Sequence, residues 1–225
     1  MAAETTQTVR IPVDGPGGTA FLTGDLVTPE GMSATVLFAH GSGSSRFSPR
    51  NRAVAAALRE EGLATLLLDL LTDDEERVDA ATGERRFDIP LLAQRLVAAV
   101  DELGRHERTA GAPVGLFGAS TGAAAALTAA ADRPGTVYAV VSRGGRPDLA
   151  GDALAQVVAP VLLVIGSEDR EVLRLNEAAA ARLRAPHRIH LVRGATHLFE
   201  EPGALEEVAR EAAGWFALPP TTDGQ

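Results

Sequence analysis

Short apolar runs alternate along this chain with longer segments whose apolar positions recur every three or four residues. Residues 34–39, 64–68, 113–117, 137–141 and 161–165 form runs of five or six, the pattern of strands buried on both faces, and residues 188–192 read as a further strand. Between them, residues 51–61 place Val54, Ala57 and Leu58 at helical spacing, and Gly62 stops the segment. Helices are also predicted over 88–105 (opened by Asp88 or Pro90), 121–131, 152–157, 173–183 and 204–216. Ahead of this series, residues 9–13 and 20–27 read as two strands joined by the turn Gly15-Pro16-Gly17-Gly18. Residues 71–86 form a long charged connection.

Strand and helix alternating from residue 34 onward predict an α/β fold. The expected form is a three-layer α/β/α sandwich on a mainly parallel, doubly wound sheet, with an antiparallel N-terminal edge and no large lid. A barrel of eight such units needs about 250 residues; here about six full units follow the edge pair within 225 residues. A single domain is expected over 1–218, with 219–225 as a flexible tail.

Composition narrows the chemistry. Hydrophobic residues make up 45 % and charged residues 23 %, an ordinary globular mixture. The formal net charge of -9 argues against a nucleic-acid surface, and one Trp and one Tyr make a base-stacking platform improbable. The chain has no cysteine, which removes disulfides, thiolate metal ligands and thiol catalysis. No apolar run is long enough to span a membrane, and the first residues lack the pattern of a secretory leader, so a cytoplasmic setting is expected. Metal and cofactor motifs are missing too: there is no H-E-x-x-H, no phosphate-binding G-x-x-x-x-G-K-[ST], and no G-x-G-x-x-G with its acidic partner. No metal and no cofactor are expected. The acidic stretch Asp73-Asp74-Glu75-Glu76 is read as a solvated helix start or loop.

In open parallel sheets, ligands bind beyond the carboxyl ends of the strands. There the sequence supplies His40-Gly41-Ser42-Gly43, Gly118-Ala119-Ser120-Thr121-Gly122, Ser142-Arg143-Gly144-Gly145, Gly166-Ser167-Glu168-Asp169 and Gly194-Ala195-Thr196-His197. The second matches G-x-S-x-G between an apolar strand and an alanine-rich helix, the context of a nucleophile elbow. Ser120 is therefore the expected nucleophile. Of five histidines, His197 alone follows the last strand on the active edge, and it is the expected base. Asp169, with Glu168 in reserve, is expected to orient His197, giving the order Ser, Asp, His. Backbone N–H groups of Thr121 and Ser42 are the expected oxyanion donors, with Gly43 next in line. His40, Gly41, Gly43, Arg46 and Arg143 are candidates for substrate contact. His40 is read as a structural residue of its loop, and Arg143 as the foremost arginine for an anionic group. Residues 71–87 are expected over the site as a flexible, solvated rim.

Ser120, Asp169 and His197, with the segments Phe38–Arg46, Leu116–Gly122 and Gly194–Phe199, resemble the α/β-hydrolases of the small, lidless, dienelactone-hydrolase-like kind. The resemblance covers about residues 35–216. It implies hydrolysis of an ester, lactone or related acyl bond of a small substrate through an acyl-enzyme, with a Ser-His-Asp triad. Dienelactone hydrolases proper use a cysteine nucleophile, whereas this chain has serine there. Some similar domains are fused to a phosphoribosyltransferase domain; none is expected within these residues. Two alternatives stand beside the hydrolase: a catalytically lapsed binding module, or an acyltransferase or thioesterase on the same scaffold. The expected partners are a small acyl substrate, possibly anionic, with no nucleic acid and no membrane. The chain itself is expected to be a monomer or a homodimer, the latter through the edge strand at 9–13.

Overall fold

The structure, a computed structural model, describes residues 3–15 and 17–217. Eight strands form one sheet: β1 (Glu4–Gly15), β2 (Gly18–Pro29), β3 (Thr35–Ala39), β4 (Ala64–Leu68), β5 (Val114–Ala119), β6 (Val137–Arg143), β7 (Val161–Gly166) and β8 (His187–Val192). Their spatial order is β1-β2-β4-β3-β5-β6-β7-β8. Strands β3 to β8 run parallel, and β2 joins β4 antiparallel, as expected of the N-terminal edge.

The inner strands alternate their side chains between two apolar layers. Leu37 and Ala39 of β3 face one layer while Val36 and Phe38 face the other. The first layer packs α3 (Ile89–Leu103), α4 (Thr121–Asp132) and α5 (Arg170–Ala180), and the second packs α1 (Pro49–Glu60) and α6 (Ala204–Phe216). Both faces of the sheet are thus covered, which is why the central strands read as continuous apolar runs. Each fully buried leucine or phenylalanine contributes about 1.5–3 kcal/mol relative to exposure.

Several boundaries differ from the sequence reading. β1 and β2 are each 12 residues long. The added residues of β1, Glu4 to Thr8, are exposed on both faces, so no alternation marked them, although threonine suits a strand. Pro16 of the turn and the tail at 219–225 lie outside the described residues. α1 starts earlier, because the Ser48 hydroxyl accepts from Asn51 N–H and Pro49 opens the first turn. The predicted helix at 152–157 is instead a run of 3-10 turns over Pro147–Gln156, broken at Gly151 with φ of 55°.

The largest correction concerns residues 71–87. They fold into α2 (Asp73–Thr82) and a 3-10 turn, Arg85–Phe87. A capping box closes the start of α2: Glu75 N–H donates to Thr72 Oγ1, and Thr72 N–H donates to Glu75 Oε2. Gly83, in the left-handed region at φ of 68°, closes its end. Glu75 and Asp79 are buried rather than solvated. Glu75 takes Arg95 of α3 at 2.8 Å, and Asp79 takes Arg86 at 2.6 Å. Asp73, Asp74 and Glu76 are exposed at the start of α2, as expected of a solvated helix start, while the inward-facing Glu75 and Asp79 are neutralised by arginines.

Candidate active site

At the carboxyl edge, β5 runs through Ala119 into Ser120 and directly into α4. Ser120 has φ of 51° and ψ of -122°, outside the regions an L-residue ordinarily occupies, at a cost of about 1–3 kcal/mol. The strain is held by two backbone bonds. Ser120 N–H donates to the Arg143 carbonyl at 3.3 Å, and the Ser120 carbonyl accepts from Arg146 N–H at 3.0 Å. The flanking glycines are required by space. A Cβ at Gly118 would stand 2.4 Å from Ala123 Cα, and one at Gly122 would stand 2.4 Å from the Ala39 carbonyl oxygen. Only glycine lets the elbow turn this tightly against β3.

Asp169 follows β7 and His197 follows β8. Their side chains meet: His197 Nδ1 lies 2.6 Å from Asp169 Oδ2. Asp169 does a second task, since its Oδ1 accepts from Val172 N–H at 3.4 Å and caps α5. One oxygen of Asp169 thus caps a helix while the other contacts His197. Glu168 is exposed and engages Ser167 instead. His197 and Ser120 flank the same short segment. The Arg143 carbonyl receives Ser120 N–H, while a Cβ on neighbouring Gly144 would lie 3.2 Å from the His197 carbonyl and 3.6 Å from His197 Cε1. No hydrogen bond joins Ser120 to His197 among the described residues.

The loop after β3 passes close over the elbow: a Cβ at Gly41 would stand 3.0 Å from Ser120 Cβ. Thr121 N–H leaves the first turn of α4 with no acceptor among the described residues. Ser42 N–H, the second expected oxyanion donor, is engaged: it donates to Thr121 Oγ1 at 2.9 Å. Beside these donors lies a cavity of about 320 Å³. Ser42 and Thr121 line one wall, and Leu71, Ala80, Arg86 and Leu92 line the other. Residues 71–87 do stand over the site, as an ordered wall.

Two candidates for substrate contact are otherwise occupied. His40 binds backbone through both ring nitrogens: Leu70 N–H donates to Nε2 at 3.2 Å, and Nδ1 faces the Gly41 carbonyl at 2.9 Å. That pairing assigns the proton to Nδ1 and leaves no nitrogen for substrate. Burial pushes its pKa down, so the ring is neutral. Its part is to clasp the loop, the structural reading the sequence suggested. Arg46 pairs with Asp69 after β4, where its own N–H also donates to Asp69 Oδ1 at 2.7 Å, and it lies 3.6 Å from Asp25. It ties the loop to the sheet rather than facing a ligand. Gly43 lies against the cavity beside Arg86. Arg143 is buried at the end of β6 and contacts Asn51 of α1.

A family model described as an alpha/beta hydrolase domain matches residues 32–213. The chain belongs to the alpha/beta-hydrolase family. This chain is 54 % identical in sequence to a dienelactone hydrolase from Anabaena variabilis, with a TM-score of 0.91 over 95 % of this chain and 97 % of that one. It is thereby of the dienelactone-hydrolase-like, serine-nucleophile type. Est1E from Butyrivibrio proteoclasticus shares the fold alone, at 17 % identity and a TM-score of 0.75 over 94 % of this chain and 99 % of that one. Two curated proteins of Mycobacterium tuberculosis, provisionally named phosphoribosyl transferases, are each 57 % identical over 193 residues. The match spans 86 % of this chain but only 43 % of theirs, so this chain covers less than half the length of those relatives. No helix among the described residues is long and apolar enough to cross a membrane.

Residues that the sequence did not single out also brace this edge. Asn176, fully buried on α5, donates from Nδ2 to the Gly145 carbonyl at 3.0 Å and so fixes the segment behind Ser120. Glu201 Oε1 accepts from Thr196 N–H at 3.1 Å and from Thr196 Oγ1 at 2.6 Å, bracing the turn that carries His197. Arg86 gives Nε and Nη2 to Asp79 and turns Nη1 toward Gly43. Of these, only Arg86 lies in a stretch that the sequence placed over the site, residues 71–87. Asn176 and Glu201 lie on ordinary helix and loop stretches.

Proposed function

We propose that this chain hydrolyses an ester, lactone or related acyl bond of a small substrate, with Ser120 as nucleophile, His197 as base and Asp169 as its orienting partner. The observation that carries the reading is the 2.6 Å contact of His197 Nδ1 with Asp169, which leaves Nε2 to receive a proton. Ser120, lifted on its strained elbow, attacks the carbonyl as His197 takes the hydroxyl proton. The tetrahedral oxyanion is held by Thr121 N–H and by Ser42 N–H, which exchanges the Thr121 hydroxyl for the substrate oxygen. His197 returns its proton to the leaving group, and water then cleaves the acyl-enzyme. Asp169 fixes the tautomer and stabilises the imidazolium.

The cavity of about 320 Å³ under α2 fits a small acyl group, and its charged wall favours polar over long aliphatic chains. Neither a monomer nor a homodimer paired through β1 would cover the site, because β1 is the outermost strand, four places from β5. A cytoplasmic setting belongs to the same proposal and rests on composition alone.

The test is intact-protein mass spectrometry after exposure to a fluorophosphonate, with Ser120→Ala beside the wild type. One adduct is expected on the wild type and none on the variant, with short esters turned over only by the wild type. Turnover by folded Ser120→Ala would overturn the assignment.

A further inference from the structure

Arg143 is the anomaly of this site. Its surface is 8 % exposed, yet no carboxylate pairs with it among the described residues. Nη2 donates to Asn51 Oδ1 at 3.3 Å, while Nε and Nη1 are buried without a partner. The Phe199 ring, with its centroid 6.0 Å from the guanidinium carbon, is its other neighbour. Arg46, Arg86 and Arg146 near the same edge each hold a carboxylate. Burying a guanidinium with neither a counter-charge nor full hydrogen bonding is costly, and arginine does not escape by losing its proton at neutral pH. Burial and the nearby Arg50 charge lower its pKa to about 10, which still leaves it cationic.

The surroundings add positive potential. Asn51 lies in the first turn of α1, a 12-residue helix with no acidic residue in that turn. Ser48 takes Asn51 N–H, Pro49 has none to give, and Arg50 N–H finds no acceptor among the described residues. The free N–H and the helix dipole both point outward at this end. Arg50 belongs to the same turn, and its side chain pairs with exposed Glu200 at 3.2 Å. A buried cation, a helix N-terminus and a second arginine therefore converge, with one exposed carboxylate to balance them.

This spot adjoins the nucleophile. Arg143 holds Ser120 N–H through its own carbonyl, and its ring neighbour Phe199 is two residues beyond His197. It is not part of the wall of the cavity beneath α2. An acyl group seated in that cavity leaves the departing half of the substrate on the His197 side.

We propose that Arg143, Arg50 and the N-terminus of α1 form a subsite for an oxyanion, a carboxylate or a phosphate monoester, carried on the leaving-group half of the substrate. The proposal rests on the acyl-hydrolase reading above. The ligand's anion replaces Glu200 on Arg50, and the exchange opens the approach to Nε and Nη1 of Arg143. The guanidinium then gains the counter-charge that the protein itself withholds.

Calorimetric titration with benzoate, phenyl phosphate and neutral benzamide tests the subsite without relying on turnover. The wild type is expected to bind at least one anion ten or more times more tightly than benzamide. The tighter of the two anions identifies carboxylate or phosphate. Arg143→Gln is expected to lose tenfold or more of that affinity, and Arg50→Gln about threefold or more. Arg50 lies on the surface, so Arg50→Gln keeps the test open where Arg143→Gln fails to fold. The bound anion is also expected to slow labelling of Ser120 by a neutral alkyl fluorophosphonate. No preference for an anion, or equal affinity in a folded variant, overturns the subsite. Binding that leaves the labelling rate unchanged overturns its place beside Ser120. Wild type that takes no label without any anion counts against the hydrolase reading instead, while the titration still reports on the subsite.

Discussion

Asp169 carries two duties on one carboxylate, and the two can be separated by substitution. Oδ1 caps α5 and Oδ2 orients His197. Asparagine caps helices nearly as well as aspartate but offers an amide in place of the charge that fixes the imidazole tautomer. Asp169→Asn is therefore expected to keep its urea midpoint while losing about 10³–10⁴ in kcat. Asp169→Ala loses both duties and costs about 1 kcal/mol more in stability through the missing cap. Equal stability of the two variants would show that the cap is idle. A kcat for Asp169→Asn within tenfold of wild type would show that His197 is oriented by something else. The sequence made the residue visible because it follows β7 on the active edge; what it hid was that one carboxylate reaches both Val172 N–H and His197. Arg46 illustrates the opposite case. Its carboxylates, Asp69 and Asp25, lie 23 and 21 positions away, so nothing local showed that its charge was already taken.

At the scale of elements, the strands and the elbow were legible because each obeys a local rule: apolar runs for the buried strands, glycines where a Cβ has no room. α2 obeys no such rule. Its buried side chains include two carboxylates, Glu75 and Asp79, and these are compensated by Arg95, Arg86 and Arg85 from later elements. An amphipathic pattern built from ion pairs looks like a solvated one until the partners are placed. The arrangement also predicts how the cavity wall fails. Arg95, buried on α3, donates to Glu75 at 2.8 Å and to the Asp14 carbonyl at 2.9 Å. Arg95→Met removes these bonds and leaves Glu75 buried, with Arg85 at 3.5 Å its remaining cation. Breaking such a pair costs about 3–5 kcal/mol, with the lower end expected here because Arg85 partly compensates. α2 should then open locally more often than the sheet does. Limited trypsin digestion is expected to cut first after Arg77, which is exposed on α2, in the variant and not in the wild type. Unchanged digestion together with an unchanged urea midpoint would mean that α2 is held by its capping box and the Arg86–Asp79 pair without Arg95.

Across the whole molecule, the groups with shifted protonation define a stability plateau with two edges. His40 is clasped by backbone and buried, so its folded pKa lies below its ordinary value of 6.5. As pH falls through 6.5 the unfolded chain takes up a proton that the folded chain refuses, and stability drops by up to about 1.4 kcal/mol per pH unit from this group. Asp79 and Asp101, held below the usual carboxylate range despite burial by Arg86 and by Arg133, act in the same direction at lower pH. Their contribution is present above the unfolded carboxylate pKa and is lost as they protonate. Tyr138 sets the alkaline edge. Burial raises its pKa above the ordinary 10.0, and its hydroxyl donates to the Phe216 carbonyl at 2.8 Å. Above pH 10 the unfolded chain ionises first, and stability falls again. Thermal melts are therefore expected to be level between about pH 7 and 10 and to decline on both sides. His40→Asn should flatten the arm between pH 6.5 and 5, and Tyr138→Phe should flatten the alkaline arm after losing about 1 kcal/mol for its hydrogen bond. The acid arm matters for the site as well, because the ring that titrates there holds the loop bearing Ser42 against Ser120. Short-ester turnover, relative to its value at pH 7.5, is thus expected to fall more steeply below pH 6 in the wild type than in His40→Asn. His40→Asn and wild-type melts that superimpose from pH 7.5 to 5 would show that His40 does not hold the loop as a neutral clasp.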